Sequence, residues 1–192
     1  MNKPASKAQL RSKLRKHRAS LNKAELNSAA LGIANNARRS NRLLQAKRVA
    51  SYAPFAGEAS PEALVQKLAC KTVYLPKIVN FRLKKMLFYP ATDSGNVNCY
   101  GIAEPNTRHL PRPCNAFDVI LVPLVAFDRY GSRIGMGAGY YDRAMQALGH
   151  QVSSKPFLVG IAHHFQEVSK IKRETWDIPL DAILTDHEFI HL

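Results

Sequence analysis

The chain has 192 residues, 46% of them hydrophobic, which is enough for one globular domain with a sizeable core. No run of about eighteen apolar residues is present, and no apolar stretch follows the basic N-terminus, which argues against a membrane partner and a signal peptide. The formal net charge of +14 is uneven, because residues 1–48 hold thirteen lysines and arginines and one acidic residue, Glu25. We expect one cytoplasmic domain over residues 1–192, with a basic helical segment, residues 1–45, packed on its body.

Two helices are predicted within the basic segment. Residues 4–18 carry leucines at helical spacing, with Lys7 and Arg11 one turn apart on an adjacent face. A second helix is predicted from Asn22, a suitable N-cap followed three residues later by a glutamate, to about Arg39. The positive charge of these helices either binds a polyanion or surrounds a site for an anionic small molecule.

Short apolar strands that alternate with helices are predicted in the rest of the chain. The predicted strands cover residues 49–53, 72–75, 86–89, 118–122, 157–161 and 181–185, the second of them ended by Pro76. Helices are predicted over residues 60–69 and 139–148. This alternation predicts an α/β fold, a three-layer α/β/α architecture with a mostly parallel central sheet. Ligands of such sheets bind at the carboxyl ends of the strands.

The most specific motif covers residues 133–143, with the sequence Arg-Ile-Gly-Met-Gly-Ala-Gly-Tyr-Tyr-Asp-Arg. Alternating glycines let the backbone turn sharply and bring its N–H groups close to a ligand, and a helix that begins near Gly139 would direct its N-terminus at the same place. Arg133 adds positive charge and Asp142 is a candidate metal ligand, so the motif indicates a site for a phosphate–metal complex. It lacks the Gly-Lys-Ser/Thr of a P-loop and the acidic residue of a dinucleotide fingerprint. An ordinary glycine-rich turn is the alternative.

Together these motifs resemble the 5-formyltetrahydrofolate cyclo-ligase family, also called 5,10-methenyltetrahydrofolate synthetases. The similar segments follow in order along nearly the whole chain: residues 7–11, Glu58, and residues 73–77, 118–123, 126–143 and 176–181. The resemblance implies an enzyme that uses ATP and Mg²⁺ to convert 5-formyltetrahydrofolate to 5,10-methenyltetrahydrofolate, with release of ADP and phosphate. It implies that the formyl oxygen is phosphorylated and that N10 attacks the activated carbon.

The resemblance also implies roles for individual residues. It assigns ATP binding to Lys7, Arg11, Arg133, Gly135, Met136, Gly137, Ala138, Gly139, Tyr140 and Tyr141. It assigns folate binding to Phe55, Glu58, Lys77, Gly137, Ala138, Gly139 and Tyr140, with Glu58 on the pterin ring and Lys77 near the glutamate tail, single or polymeric. Asp142 and Asp177 would hold Mg²⁺, and Arg133, Tyr140 and Asp142 would be catalytic. Met136 and Ala138 stand where some members carry basic residues, so phosphate neutralisation would depend more on Lys7, Arg11 and Arg133.

Two other interpretations of the chain stay open. The first is a nucleic-acid-binding module led by the basic segment, which would bind RNA or DNA with strong salt dependence. Residues 1–48 contain no aromatic side chain for base stacking, so such binding would be nonspecific. The second is a different α/β transferase that uses the glycines of residues 133–143 for a sugar phosphate or coenzyme A.

The cysteines and histidines indicate no further site. Cys70, Cys99 and Cys114 are odd in number and lack C-x-x-C spacing, which predicts a reduced protein without a disulfide framework or zinc site. His163 and His164 are interpreted as loop or packing residues, because adjacent side chains point apart and no third metal ligand is evident. We therefore expect a monomer whose one metal is the Mg²⁺ that accompanies ATP.

Overall fold

A seven-stranded sheet forms the centre of the computed structural model, which describes residues 6–70, 72–91, 98, 101–102, 104–146, 148 and 155–192. The strands are β1 (Arg48–Ala50), β2 (Thr72–Asn80), β3 (Lys85–Pro90), β4 (Val119–Pro123), β5 (Ala126–Phe127), β6 (Arg133–Ile134), β7 (Phe157–Ala162), β8 (Ala182–Thr185) and β9 (Phe189–His191). The α-helices are α1 (Lys7–Ala19), α2 (Lys23–Asn36), α3 (Asn41–Leu44), α4 (Glu62–Val65) and α5 (Tyr140–Met145). Short 3₁₀ helices cover Ala37–Arg39, Cys114–Ala116 and His164–Gln166.

The order of strands in the sheet is β3-β2-β1-β4-β7-β8-β9, while β5 and β6 pair separately. The inner strands β2, β1, β4, β7 and β8 run parallel, and the edge strands β3 and β9 are antiparallel to their neighbours. Parallel strands need covering layers on both faces of the sheet. The predicted α/β class and mostly parallel sheet are therefore confirmed.

Strand β4 shows how the two faces are covered. Val119 and Leu121 belong to one buried cluster, which includes side chains of α2 and α4. Ile120 and Val122 belong to the other, which includes side chains of α5. Because successive side chains of a strand point to opposite faces, four consecutive apolar residues serve both layers.

Capping boxes begin the two helices of the basic segment. The Ser6 hydroxyl accepts from the Gln9 N–H at the start of α1, and the Asn22 side chain accepts from the Glu25 N–H at the start of α2. Each N-cap N–H in turn donates to the side chain three residues later, so two otherwise unpaired N–H groups are satisfied. The predicted N-cap at Asn22 is confirmed, and the 3₁₀ turn that follows α2 ends at Arg39 as expected.

Strand β2 is longer than predicted, because Pro76 does not end it. Its first residues pair with β1, and from Tyr74 onward it pairs with β3. Pro76 lies opposite Phe88, whose carbonyl accepts from the Arg112 N–H (2.8 Å) on the side away from β2. The Pro76–Phe88 pair therefore exchanges no backbone hydrogen bonds, and the missing proline N–H removes no hydrogen bond from the β2–β3 pairing.

Two predicted helices are shorter than expected. Beyond Gln66 the backbone bonds span three residues, and the Ala69 N–H donates to the Leu44 carbonyl (3.0 Å) of a neighbouring helix, so α4 ends early. Helix α5 ends at Met145 rather than near residue 148. Strands β5, β6 and β9 were not predicted, because two or three residues are too few to show an alternating pattern. Within the described ranges, no helix has the length and apolar character needed to cross a membrane.

Candidate active site

A cavity of about 620 Å³ opens at the carboxyl edge of the sheet. Its walls come from α1, the loop after β1, the second half of β2, the ends of β4 and β6, and residues 176–177. The lining residues include all but one of the predicted site residues: Lys7, Arg11, Phe55, Glu58, Arg133, Gly135, Met136, Gly137, Ala138, Gly139, Tyr140, Tyr141, Asp142 and Asp177. The fold thus brings together in space residues that lie far apart in the chain.

The glycine segment, residues 135–139, forms one wall and is held by α1. The Arg11 Nε donates to the Gly135 carbonyl (2.9 Å) across 124 residues of sequence. Gly137 has a φ of +100°, and a Cβ at that position would lie 3.7 Å from the Arg11 guanidinium. A side chain is disfavoured at this φ, so glycine is needed for the backbone to pass under Arg11. The segment leads directly into α5 at Tyr140.

Arg133 and Asp142 form an ion pair beside this wall. The Arg133 guanidinium donates both to the Asp142 carboxylate and to the Ile178 carbonyl, and only 6% of its side chain is exposed. Burial lowers the pKa of Arg133, while the Asp142 charge opposes that shift. The pair therefore holds a charged guanidinium in a fixed orientation, with both partners lining the cavity.

Asp177 lines the cavity beside Lys7. Their charged atoms, Lys7 Nζ and Asp177 Oδ2, are 3.7 Å apart, and the same ammonium lies 3.3 Å from Glu174 Oε1. The Glu174 N–H donates to Asp177 Oδ2 (2.9 Å), which fixes the carboxylate in a local turn. The two carboxylates predicted to hold a metal, Asp142 and Asp177, thus line the same cavity, each beside a basic side chain.

Glu58 pairs with Arg18 at a more enclosed part of the cavity. The Arg18 guanidinium lies 3.6 Å from Glu58 Oε1, and the two side chains are 1% and 12% exposed. The Phe55 N–H also donates to Glu58 (3.2 Å). Burial raises the pKa of Glu58, and the Arg18 charge and the Phe55 hydrogen bond oppose that rise. Sequence reasoning did not identify Arg18, because a basic residue on a basic helix gives no sign that it is buried.

The loop that carries Glu58 is held against the end of α1. Gly57 has a φ of +75°, and a Cβ there would lie 2.3 Å from the Arg18 carbonyl oxygen, so only glycine allows this approach. The His163 ring lies 3.0 Å from the Gly57 carbonyl and is buried, which agrees with the packing role predicted for it. The loop position of Glu58 is therefore set from two sides.

Lys77 is the one predicted site residue that does not line the cavity. Its neighbours Pro76 and Ile78 do, and alternate side chains of a strand point to opposite faces. The Lys77 ammonium lies 3.8 Å from the Glu104 carboxylate and 3.4 Å from the Pro105 carbonyl. The prediction assumed that the strand ended at Pro76, which would have left Lys77 in a turn.

Several lining residues were not predicted: Arg15, Tyr52, Met86, Asn98, Ile102, Glu104 and Trp176. The spacing of Arg15, four residues after Arg11 on α1, was the available signal for it. The Tyr141 hydroxyl is buried and has no hydrogen-bond partner among the described residues. Burial raises the pKa of Tyr141, so it is a neutral hydroxyl with an unused donor, near the charges of Glu58 and Arg133.

The described lining contains four basic side chains, Lys7, Arg11, Arg15 and Arg133, together with four carboxylates, Glu58, Glu104, Asp142 and Asp177. An α/β sheet with such a cavity at its carboxyl edge defines the class, an α/β enzyme whose ligand site carries charges of both signs. The model of the 5-formyltetrahydrofolate cyclo-ligase family matches residues 3–186. The chain therefore belongs to the 5-formyltetrahydrofolate cyclo-ligase family, a family of ligases in folate one-carbon metabolism.

Individual relatives agree with this assignment. The 5-formyltetrahydrofolate cyclo-ligase of Haemophilus influenzae is 38% identical over 183 residues, which cover 92% of this chain and 95% of that protein. The Escherichia coli K12 enzyme of the same name is 40% identical over 149 residues, or 74% and 80% of the two chains. The NMR structure of Aquifex aeolicus 5,10-methenyltetrahydrofolate synthetase superposes with a TM-score of 0.79 at 29% identity, covering 97% of this chain and 92% of that one.

Proposed function

We propose that the protein catalyses the ATP- and Mg²⁺-dependent conversion of 5-formyltetrahydrofolate to 5,10-methenyltetrahydrofolate, with release of ADP and phosphate. Membership of the family supports the overall reaction. The observation that carries the proposal is the cavity at the carboxyl edge of the sheet, because it has a basic wall from α1 and Arg133 and a separate, buried carboxylate at Glu58. A basic wall suits ATP, and the carboxylate suits the N–H groups of a pterin ring.

The chemistry requires that an amide oxygen be made into a leaving group. Transfer of the γ-phosphoryl group of ATP to the formyl oxygen gives ADP and an intermediate whose formyl carbon carries the phosphorylated oxygen. N10 then attacks that carbon, its proton is lost, and the C–O bond breaks to release phosphate and leave the methenyl bridge. Phosphoryl transfer needs positioning and charge neutralisation more than covalent help, which is what fixed basic side chains and backbone N–H groups provide.

Residue roles follow from the chemistry of the lining. Lys7, Arg11 and Arg133 are proposed to neutralise the phosphates, and the backbone of the glycine segment to approach them closely. Arg15 lines the same wall and adds a fourth positive charge, which compensates for the uncharged side chains of Met136 and Ala138. Tyr140 and Tyr141 are proposed to lie against the bound nucleotide and substrate.

The proposed folate contacts lie on the other side of the cavity. Glu58 is proposed to accept hydrogen bonds from the pterin ring, with Phe55 packed beside that ring. Lys77 remains a prediction for the glutamate tail, and reaching that tail requires it to leave Glu104.

The donor set also suits Mg²⁺. This ion is held in proteins by one or two carboxylates together with substrate phosphates, and Asp142 and Asp177 offer carboxylates beside the basic wall. When bound, Mg²⁺ would supply charge neutralisation to the nucleotide phosphates. Arg133 and Lys7 pair with these carboxylates, so basic groups orient the carboxylates that would hold the ion. A monomeric state and a cytoplasmic location stay predictions.

The test is the near-ultraviolet absorbance of the methenyl product in a mixture of protein, 5-formyltetrahydrofolate, MgCl₂ and ATP. We expect a rise that disappears when ATP or MgCl₂ is omitted. Asp142→Asn and Arg133→Gln should each lower kcat by about 100-fold or more, because each loses charge stabilisation and frees its partner. Arg143→Gln changes an exposed arginine next to Asp142 in sequence but outside the cavity, and should keep wild-type turnover. Folded wild-type protein that gave no ATP-dependent rise would contradict the proposed reaction.

A further inference from the structure

A second cluster of ligating side chains lies outside the cavity, where β7 and β8 end. His164 follows β7, and Asp186 and His187 lie in the turn between β8 and β9. Asp186 Oδ2 is 3.0 Å from His164 Nδ1 and 3.6 Å from His187 Nε2. The two imidazole rings are stacked, with centroids 3.6 Å apart and planes at 8°. Two side chains able to bind a metal therefore lie beside His164, which the sequence around His163 and His164 did not show.

Backbone contacts fix the Asp186 carboxylate and the turn that carries His187. The His164 N–H donates to Asp186 Oδ1 (2.7 Å), so the carboxylate directs its other oxygen toward both rings. The His187 and Glu188 N–H groups donate to the Thr185 hydroxyl (3.2 and 3.0 Å), which fixes the turn that carries His187. Asp186 is largely buried, with 16% of its side chain exposed, while the two histidines are half-exposed. The cluster is thus positioned by its surroundings and open to solvent on one side.

We propose that His164, Asp186 and His187 bind a divalent transition-metal ion of the Zn²⁺ type, at a site separate from the cavity. Their three ligand atoms all lie within 4.8 Å of one another. Ligands at zinc–nitrogen and zinc–oxygen distances are separated by about 3.3 Å in a tetrahedral site, close to the two shorter separations here. Because an imidazole lone pair lies in the ring plane, the two half-exposed rings must turn out of their parallel stack to direct all three atoms at one ion, and the fourth position remains open to water.

The donor set determines which ions fit. Two imidazoles and one carboxylate suit Zn²⁺, Ni²⁺ or Cu²⁺, whereas Mg²⁺ prefers oxygen ligands throughout. The Asp186 carboxylate is also oriented by a backbone N–H, as ligands of metal sites commonly are. Folate and nucleotide play no part in this assignment, because none of the three residues lines the cavity.

Calorimetric titration of the full-length reduced protein with ZnCl₂, in buffer that contains MgCl₂ but no nucleotide, tests the site. Wild-type protein should bind one equivalent at this site, and His187→Ala and Asp186→Asn should each weaken that binding at least about tenfold. His109→Ala removes an exposed histidine elsewhere and should bind as wild type, as should Asp142→Asn in the cavity. Cys70→Ser should also be unchanged, which excludes Zn²⁺ binding at the Cys70 thiol.

The variants separate the possible outcomes. His187 contributes no buried contact to the core, so His187→Ala is expected to fold, and its circular dichroism spectrum should match that of the wild type. Equal Zn²⁺ affinity in His187→Ala and wild type would overturn the proposal. So would a wild-type protein that binds Mg²⁺ at this place as tightly as Zn²⁺.

Discussion

Glu58 is a buried carboxylate whose counter-ion, Arg18, is also buried. Removing both groups from water is costly, and their attraction offsets that cost only in part. The raised pKa of Glu58 is the sign of this imbalance. A buried carboxylate of this kind contributes more to ligand binding than to the stability of the fold, because its remaining hydrogen-bond acceptor sites are available to a ligand.

The raised pKa predicts a pH dependence of stability. The folded state holds the Glu58 proton more tightly than the unfolded chain does, so the resulting stabilisation is complete below about pH 4.3 and is lost as the pH rises through the folded-state pKa. Glu58→Gln cannot titrate. We therefore expect the free energy of unfolding of the wild type, relative to Glu58→Gln, to fall between pH 4 and pH 7 in urea denaturation experiments. A difference that stayed constant across this range would show that Glu58 titrates normally.

At the scale of structural elements, the glycine segment and α1 depend on each other through Arg11. Gly137→Ala places a side chain at a φ of +100° under the Arg11 guanidinium, whereas at Gly135 a Cβ would meet nothing within 4 Å. We expect Gly137→Ala to lower the free energy of unfolding by about 1–3 kcal/mol, and Gly135→Ala to change it little. Equilibrium unfolding of the two variants checks this. If both lost the same stability, backbone strain would not be the reason for Gly137.

The same pair of variants reports on the ligand. Gly135→Ala has room in the protein alone, so a raised KM for ATP in that variant would mean that the nucleotide occupies the space beside Gly135. An unchanged KM would place the nucleotide elsewhere along the segment.

Elements with strong local signals were predictable from the sequence. The capping box at Asn22 and the apolar run of β4 each carry their own physical cause, and both are present. The length of β2 was not predictable, because whether a proline interrupts a strand depends on which side its missing N–H would face. That side is set by Phe88 and Arg112, which are distant in the sequence.

The candidate site was predictable where residue type and motif agree, as in residues 133–143. Arg18, Tyr52 and Glu104 were missed, because their place in the site depends on burial and on contacts between distant segments. The side of the sheet on which Lys77 lies depends on where β2 ends. The error in the predicted end of β2 therefore also placed Lys77 wrongly in the cavity lining. Local chemistry thus predicted the residues of the glycine motif that line the cavity, and tertiary packing decided which other residues surround them.

At the scale of the whole molecule, the positive charge divides into two groups. Lys7, Arg11 and Arg15 line the cavity, whereas Lys13 and Lys16 on the same helix are exposed outside it. We propose that residues 1–192 form one domain, supported by the burial of Leu14 of α1 against Val125 and Ile134 of the body. The basic segment then belongs to the enzyme rather than to a separate nucleic-acid-binding module.

This division is testable with charge variants. Lys13→Gln/Lys16→Gln should keep wild-type ligase turnover, because neither side chain lines the cavity, and should weaken any nonspecific RNA binding. Arg11→Gln should raise the KM for ATP. Turnover and RNA binding measured over a range of salt concentrations give both results. RNA binding that was sequence-specific and unaffected by Lys13→Gln/Lys16→Gln would support a dedicated nucleic-acid site elsewhere.

Helix α1 contacts both ends of the cavity. Lys7 and Arg11 lie on the proposed nucleotide side, and Arg18, at the last turn, lies against Glu58 and Gly57 on the proposed folate side. These positions are about 16 Å apart along one continuous helix. A ligand that immobilises the first turn of α1 also immobilises the last turn, because the helix is continuous. Each substrate then lowers the entropic cost of ordering α1 that the other substrate must meet. We therefore expect the two substrates to bind with positive cooperativity.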